Sequence, residues 1–477
     1  MTRPTIAAPP RPHTPIRPFG ARDRIGYLFG DLGNDFTFIL ASAYLMVYYT
    51  NIAGLEAAHV GLLFLAARLV DAFTDIGWGR FLDRHVPSAK GRFRPWVARM
   101  AVPVGIASAL MYVPFTADWA YGAKLAYAAV TYLLWGSVFY TTTNIAYGSM
   151  ASVLTIVPGE RASLSVFRGI GANIAGLFVS LVPPLLIYTM VDGQSQLDGQ
   201  RMFLTAIVFS ALAVVWYLLC TTNVRERVAA PVGTVERRSL LKLARSLVSS
   251  RPLLTLIAAN IIIMLGALLM GTIAAYLWLY HFNDGALSGP AQLTSYLPGL
   301  LLSPFAARLA ARFGKKEVVT VSLILAGGVY IAIFALHITS AWVFIGASFF
   351  AGFGIGFYNL MVWALVGDII DDEERRNGER DDGTVYAINT WARKLGQAAA
   401  GGLGGFALTL VGFQSGQSTQ SGETADGIYT IATLVPGVLF LVAAAILLFL
   451  YPLNRARVDA NVAELARRRD EKESETR

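Results

Sequence analysis

The sequence predicts an all-α membrane protein of twelve transmembrane helices in two six-helix bundles, with both termini cytoplasmic. Three features of the chain predict it. The 477 residues are 55% hydrophobic and only 15% charged, with a mean hydropathy of +0.53, too apolar for a water-soluble chain of this length. The apolar residues fall into twelve runs, most of them about as long as a bilayer crossing requires. Lys and Arg collect in alternate gaps between those runs, the pattern that sets orientation in a membrane.

Residues 1–24 are rich in Pro and Arg and lack an apolar core with a small-residue cleavage site, so they read as a cytoplasmic tail and not a signal peptide. The first bundle, 25–221, has spans near Ile25–Thr50, His59–Leu82, Val97–Phe115, Ala123–Leu154, Leu164–Met190 and Met202–Thr221. A polar cytoplasmic loop, 222–251, separates the bundles, and Arg237 to Val248 within it has the pattern of an amphipathic helix lying on the inner membrane surface. The second bundle, 252–452, has spans near Leu253–Tyr280, Ser295–Ala311, Val318–His337, Ala341–Val366, Tyr386–Val411 and Ile428–Tyr451. Residues 453–477 carry mixed charge and read as a solvated cytoplasmic helix or coil.

Orientation follows from the short loops. Arg17, Arg22 and Arg24 precede the first span; Arg84, Lys90, Arg92 and Arg94 follow the second; Arg312, Lys315 and Lys316 follow the eighth. The opposite loops, 51–58, 283–289 and 412–427, contain no Lys or Arg, which places them outside. A net charge of +8 spread through loops in this way suits topology and not nucleic acid. The single Cys220 excludes a disulfide framework and a cysteine-based metal cluster. No phosphate-binding Gly-Lys-Ser/Thr loop, His/Cys metal spacing or nucleophile elbow is present, so an enzyme has little support.

Chemistry enters with the second span. Asp71 and Asp75 are four residues apart, hence on one face of a helix. Each ionised carboxylate near the bilayer centre costs about 2.5–3.5 kcal/mol on insertion scales, so the pair requires a cation, a base or a proton. A coupling-ion site is the expectation. Twelve spans with a central cytoplasmic link form the outline of a major facilitator, two repeats around a midplane site.

The motifs narrow this further. DAFTDIGWGRFLDR (Asp71–Arg84) followed by GRFRPW (Gly91–Trp96) resembles the signature of the glycoside-pentoside-hexuronide:cation symporters, the melibiose-permease-like branch of the major facilitator superfamily. DLGNDF (Asp31–Phe36), LLWG with NIAYGSM (Leu133–Gly136, Asn144–Met150), RASLSVFRGIGANIAGL (Arg161–Leu177) and the long segment Gly367–Ala398 match in the same order across both halves.

That resemblance implies cation-coupled (H+ or Na+) symport of a sugar, glycoside or uronic acid by alternating access, in the plasma (inner) membrane, with no cofactor beyond the coupling ion. It implies a cation site at Asp71, Thr74, Asp75 and Thr141, coupling residues Lys394 and Thr390, and substrate contacts at Asp35, Asn144 and Arg168. Thr74 stands where the melibiose type has an asparagine and Ile76 where it has a proline, which thins the oxygen shell that sodium needs and tilts the expectation toward protons. Gly148 replaces a tryptophan, leaving Tyr140, Tyr147 and Tyr358 as the alternative aromatic platforms for a sugar ring. Charges at Asp83, Arg84, Arg92, Arg94, Asp368, Asp371 and Arg380 lie at the inner ends of the two halves and are the expected cytoplasmic gate. A lysolipid or other amphiphile carrier of the same fold, and a non-transporting membrane receptor, are the alternatives.

Overall fold

A computed structural model describes residues 17–475 apart from 86, 89, 115–117, 229–249, 378–384, 386–395, 398 and 401. The amphipathic segment expected at Arg237 to Val248 lies outside the described residues. The first half contains α1 (Ala21–Asn51), α2 (Ala57–Arg84), α3 (Arg94–Leu110), α4 (Tyr121–Leu133), α5 (Thr141–Leu154), α6 (Pro158–Ile187) and α7 (Gly199–Asn223). Residues Leu134–Tyr140 join α4 to α5 as a π-helical stretch, so these two form one long rod. The second half contains α8 (Arg251–Tyr276), α9 (Ser288–Phe313), α10 (Lys315–Leu336), α11 (Ala341–Asn377), α12 (402–410) and α13 (Gly422–Ala445), with π-helical extensions after α8 and α13. A last helix, α14 (Arg455–Glu475), lies in the charged tail.

Among the described residues six segments are both long and apolar enough to cross a membrane on hydropathy alone: 159–187, 199–223, 251–281, 315–336, 341–376 and 422–450. The helices that fall short do so for physical reasons. α1 carries Asp31, Asn34 and Asp35, α2 carries Arg68, Asp71 and Asp75, and α9 carries Pro298 and Pro304. Charged side chains inside a spanning helix are expensive and mark functional positions.

One element was not expected. The fifth span ends at Ile187, and Tyr188–Val191 pairs antiparallel with Gln194–Leu197 as a two-stranded hairpin. Its turn is Asp192-Gly193, both at positive φ (51° and 77°), the backbone that a tight two-residue hairpin turn demands. The Asp-Gly pair after β-branched Val191 is the local signal that the apolar run conceals.

The halves meet at their outer ends. Gly61 of α2 and Gly405 of α12 bring two backbones into direct contact: a Cβ built on Gly405 would stand 2.1 Å from the Ala57 carbonyl oxygen and 2.8 Å from Gly61 Cα. Small residues permit such approach between membrane helices. Thr50 and Tyr276 share a 2.8 Å hydrogen bond, and Asn51 Nδ2 donates to Tyr280 Oη at 2.7 Å. The Gly416 N–H donates to the Thr50 carbonyl at 2.9 Å, and the hairpin binds the loop before α9 through Ser195 N–H to Asn283 Oδ1 at 2.9 Å. The cross-half hydrogen bonds among the described residues gather on this outer side.

Several charges at the inner ends pair within their own half. Asp23 is fully buried and accepts from Arg17 at 2.7 Å and from Arg227 at 2.9 Å. Glu226 accepts the backbone N–H groups of Arg92, Phe93 and Arg94 at 2.7, 2.9 and 2.7 Å, an anion at the amino-terminal end of α3 where orphan donors and the helix dipole favour one. In the second half buried Asp372 binds Asn461 of α14 at 3.0 Å, and Arg468 donates to the Arg375 carbonyl at 2.9 Å, tying the tail helix to the end of α11.

Candidate functional site: a charged seam beside a central cavity

Between the halves lies a cavity of about 390 Å³. Its walls come from α1 (Phe38, Ser42, Met46), α2 (Phe64, Arg68), the α4–α5 rod (Tyr132, Trp135), α8 and its extension (Thr272, Trp278), α9 (Gln292, Tyr296) and α11 (Ser348, Asn359). Aromatic faces with a few amides and hydroxyls suit a hydroxylated ring: the rings cover its C–H face and the polar groups fix its orientation.

Asp71 of the second span sits behind this wall. Asp71 is nearly buried and is held on both sides: Arg68 Nη1 donates to Oδ2 at 3.3 Å, and Ser137 Oγ donates to Oδ1. Ser137 belongs to the π-helical stretch, where one extra residue in the turn re-aims side chains, and such bulges recur at functional sites. The span-four hydroxyl that reaches Asp71 is therefore Ser137, one turn before the expected Thr141, which is itself buried at the start of α5. Thr74 gives its hydroxyl to the Asp71 backbone carbonyl at 3.2 Å. Asp75 follows one turn along α2, half-buried.

Arg68 was not singled out as a site residue, although it stands three residues before the DAFTDIGWGRFLDR motif. Its guanidinium lies over the Phe38 ring at 5.7 Å and reaches the cavity. Arginine three residues before an acid on a helix is a sequence signal for pairing, but exposed surface pairs share it.

A second charged seam joins α1 to α6. Arg168 Nε donates to Asp31 Oδ1 at 3.0 Å, and the guanidinium stacks 5.4 Å over Tyr147. Asp31 thus takes the arginine, one turn before Asp35, which is half-buried on the same helix. Asn144 is half-buried on α5. Asp35, Asn144 and Arg168 do not line the described cavity wall. A Cβ on Gly148 would meet nothing within 4 Å, so the place where the resemblance puts a tryptophan is open space. Tyr147 stacks on Tyr27 at 4.5 Å and donates to the Tyr27 carbonyl at 2.8 Å, and Tyr358 donates to Asn260 Oδ1 at 2.8 Å; both are fully buried packing residues and not platforms. Trp135, with Tyr140 stacked behind it at 5.3 Å, faces the cavity instead.

Of the expected gate, Arg92 is buried and donates to the Leu82 carbonyl at 3.0 Å, and Arg94 Nε donates to the Thr221 carbonyl. Asp368 pairs with Lys315 of α10 at 2.5 Å, and Asp371 lies in the same turn of α11. These partners lie within one half each. Lys394, Thr390 and Arg380 lie outside the described residues, as do the side chains of Asp83 and Arg84. Among the described residues no group of three or more His, Cys, Asp or Glu side chains is arranged to hold a metal ion.

Two helical bundles closed on one face around a central cavity, with paired charges buried beside it, define a secondary transporter of the major facilitator fold. The chain belongs to the MFS/sugar transport protein family, whose model matches residues 26–455. It is 32% identical over 450 residues to the glucuronide carrier protein homolog of Escherichia coli (strain K12), covering 94% of this chain and 96% of that one. It is 33% identical over 454 residues to a putative sulfoquinovose importer of Salmonella typhimurium, covering 94% and 93%. The isoprimeverose transporter of Lactiplantibacillus pentosus is 29% identical over 439 residues, covering 90% and 88%. Among solved structures, a bacterial homologue of the iron transporter ferroportin in an inward-facing state superposes with a TM-score of 0.65 at 14% identity, covering 91% and 98%. The D-xylose-proton symporter does so with 0.60 at 14%, covering 90% and 97%. At that identity they show the fold alone. The chain is therefore a multi-pass membrane transporter for sugar-like small molecules, and not an enzyme.

Proposed function

We propose that the protein is a cation-coupled symporter that binds a sugar, glycoside or uronic acid in the cavity between its halves and a proton or sodium ion at Asp71 and Asp75. The observation that carries this is Asp71, an acid inside the membrane, bridged by Arg68 to the cavity wall and by Ser137 to the fourth span. A carboxylate one residue away from the substrate space is where a cation influences sugar binding and the reverse, which is the thermodynamic content of coupling. The relatives named for a glucuronide, for sulfoquinovose and for isoprimeverose support a sugar-like cargo without choosing among them.

Alternating access supplies the cycle. Loading neutralises the acids, and the halves rock so that the outer contacts between α2 and α12 and between α1 and α8 form when the cavity opens inward and part when it opens outward. Lys394, Thr390, Asp35, Asn144 and Arg168 keep the coupling and substrate roles that the resemblance implies, with Arg168 acting through Asp31. Arg92, Arg94, Asp368 and Asp371, with Asp83, Arg84 and Arg380, form the inner gate when the cavity faces out. Uptake of labelled sugars into proteoliposomes under imposed pH and sodium gradients tests the reading. Accumulation driven by one gradient supports it; equilibration insensitive to both refutes it.

A further inference from the structure

Among the described residues of the cavity wall, Arg68 alone carries a charge. Among the described residues its one hydrogen-bond partner is Asp71, at 3.3 Å, longer than the roughly 2.7–2.9 Å of a strong charge-assisted bond. A guanidinium has five N–H donors in a planar fork, and Phe38 beneath it accepts none of them as a full hydrogen bond. About a quarter of the side chain is accessible, against 16% for Asp71 behind it. A cation stands at the substrate space with unspent donors, and the acid it half-neutralises belongs to the proposed ion site.

We propose that Arg68 is the receptor for the carboxylate of an acidic sugar, and that engaging this carboxylate draws Arg68 off Asp71 and so opens Asp71 to the coupling cation. The inference rests on the cavity being the sugar site, and it selects the uronic-acid class from the cargoes left open above. Charge accounting supports the sequence of events. Before loading, Arg68 is paired with Asp71. After loading, the sugar carboxylate pairs with Arg68 and the cation pairs with Asp71, so each charge brought in meets an opposite one. A neutral sugar leaves Arg68 on Asp71 and the ion site half-filled. Acid sugar and cation therefore each raise the other's affinity, by the same factor. The planar fork matters, because carboxylate recognition by two parallel N–H donors is a property of arginine that lysine lacks.

The test uses the full chain in lipid nanodiscs and calorimetric binding of methyl β-D-glucuronide and methyl β-D-glucoside, which differ in the carboxylate. Each is titrated in acidic and alkaline buffer, with and without sodium. Wild type is expected to prefer the glucuronide by about tenfold or more, with cation-dependent affinity for it alone. Arg68→Gln is expected to weaken glucuronide binding roughly ten- to a hundredfold and glucoside binding by clearly less, so that the preference collapses, and Arg68→Lys to recover only part of the loss. Asp71→Asn keeps Arg68 free, so it is expected to retain the preference and to lose the cation dependence; this variant carries the test if Arg68→Gln does not fold. Equal binding of the two sugars by wild type, or an undiminished preference in Arg68→Gln, overturns the role of Arg68 and leaves the sugar site standing. A preference in Asp71→Asn that still responds to the cation overturns the link between them. If wild type binds neither sugar, nor any other sugar in the uptake screen, the cavity reading itself falls and takes this inference with it.

Discussion

Replacing Gly405 by alanine should disfavour the state in which the outer ends of the two halves are closed. The new Cβ would lie 2.1 Å from the Ala57 carbonyl oxygen, roughly 1.3 Å inside ordinary contact, and 2.8 Å from Gly61 Cα. Both neighbours are backbone, so no side chain can rotate away and the outer ends of α2 and α12 must part. Overpacking of this kind costs about 1–3 kcal/mol, here only in the state that closes these ends, which lowers the inward-to-outward ratio roughly 5- to 150-fold. The measurement is thiol labelling. Ser295→Cys places a reporter in the cavity wall, native Cys220 is buried, and a membrane-impermeant maleimide is added to vesicles of known orientation. In the Gly405→Ala background labelling should fall from the inner face and rise from the outer. An unchanged pattern in protein that still unfolds cooperatively would refute the assignment of this contact as the outer closure.

Smaller perturbations are expected elsewhere. Tyr276→Phe removes the hydroxyl that bonds Thr50 across the halves and should move the same labelling ratio in the same direction by about 1 kcal/mol, less than the glycine substitution does. Glu226→Gln takes the charge from the three N–H groups at the start of α3; a thermal unfolding midpoint several degrees lower is expected, from about 1–3 kcal/mol of lost stability, and an unaltered midpoint would show that this cap does not hold the inner turn. Asp75→Asn should abolish gradient-driven accumulation in proteoliposomes while sugar exchange persists; full accumulation in this variant would remove Asp75 from the ion site.

The spans were legible because lipid leaves the chain little choice: every backbone group must be satisfied within the segment, so apolar runs of sufficient length become helices. The acids of α2 were legible for the complementary reason, since ionisable groups in such runs are costly and a reader can count them. Arg68 was harder. Its i,i+3 spacing to Asp71 is also that of a surface ion pair, and only the packing of Phe38 and the approach of α8 and α9 turn it toward a cavity. Arg168 was read as a substrate contact together with Asp35 and Asn144, and the geometry of α1 against α6 also pairs it with Asp31. Both acids lie in one short motif, and a helical turn separates them, too little for periodicity to decide. The role of Glu226 has no local signal, because its partners are backbone N–H groups more than 130 residues earlier in the chain.

By itself the sequence determined that this chain crosses a membrane repeatedly, which side its basic turns face, and that acids lie within its second span; each follows from transfer free energies that depend on residue type alone. Tertiary structure decided which side of the cavity is closed, which hydroxyl meets Asp71 and which arginine meets which acid. Those outcomes depend on helix rotation and on π-helical turns, set by how glycine and aromatic surfaces from distant parts of the chain fit together. Contact energies of that kind are properties of pairs, and no single stretch of residues encodes them.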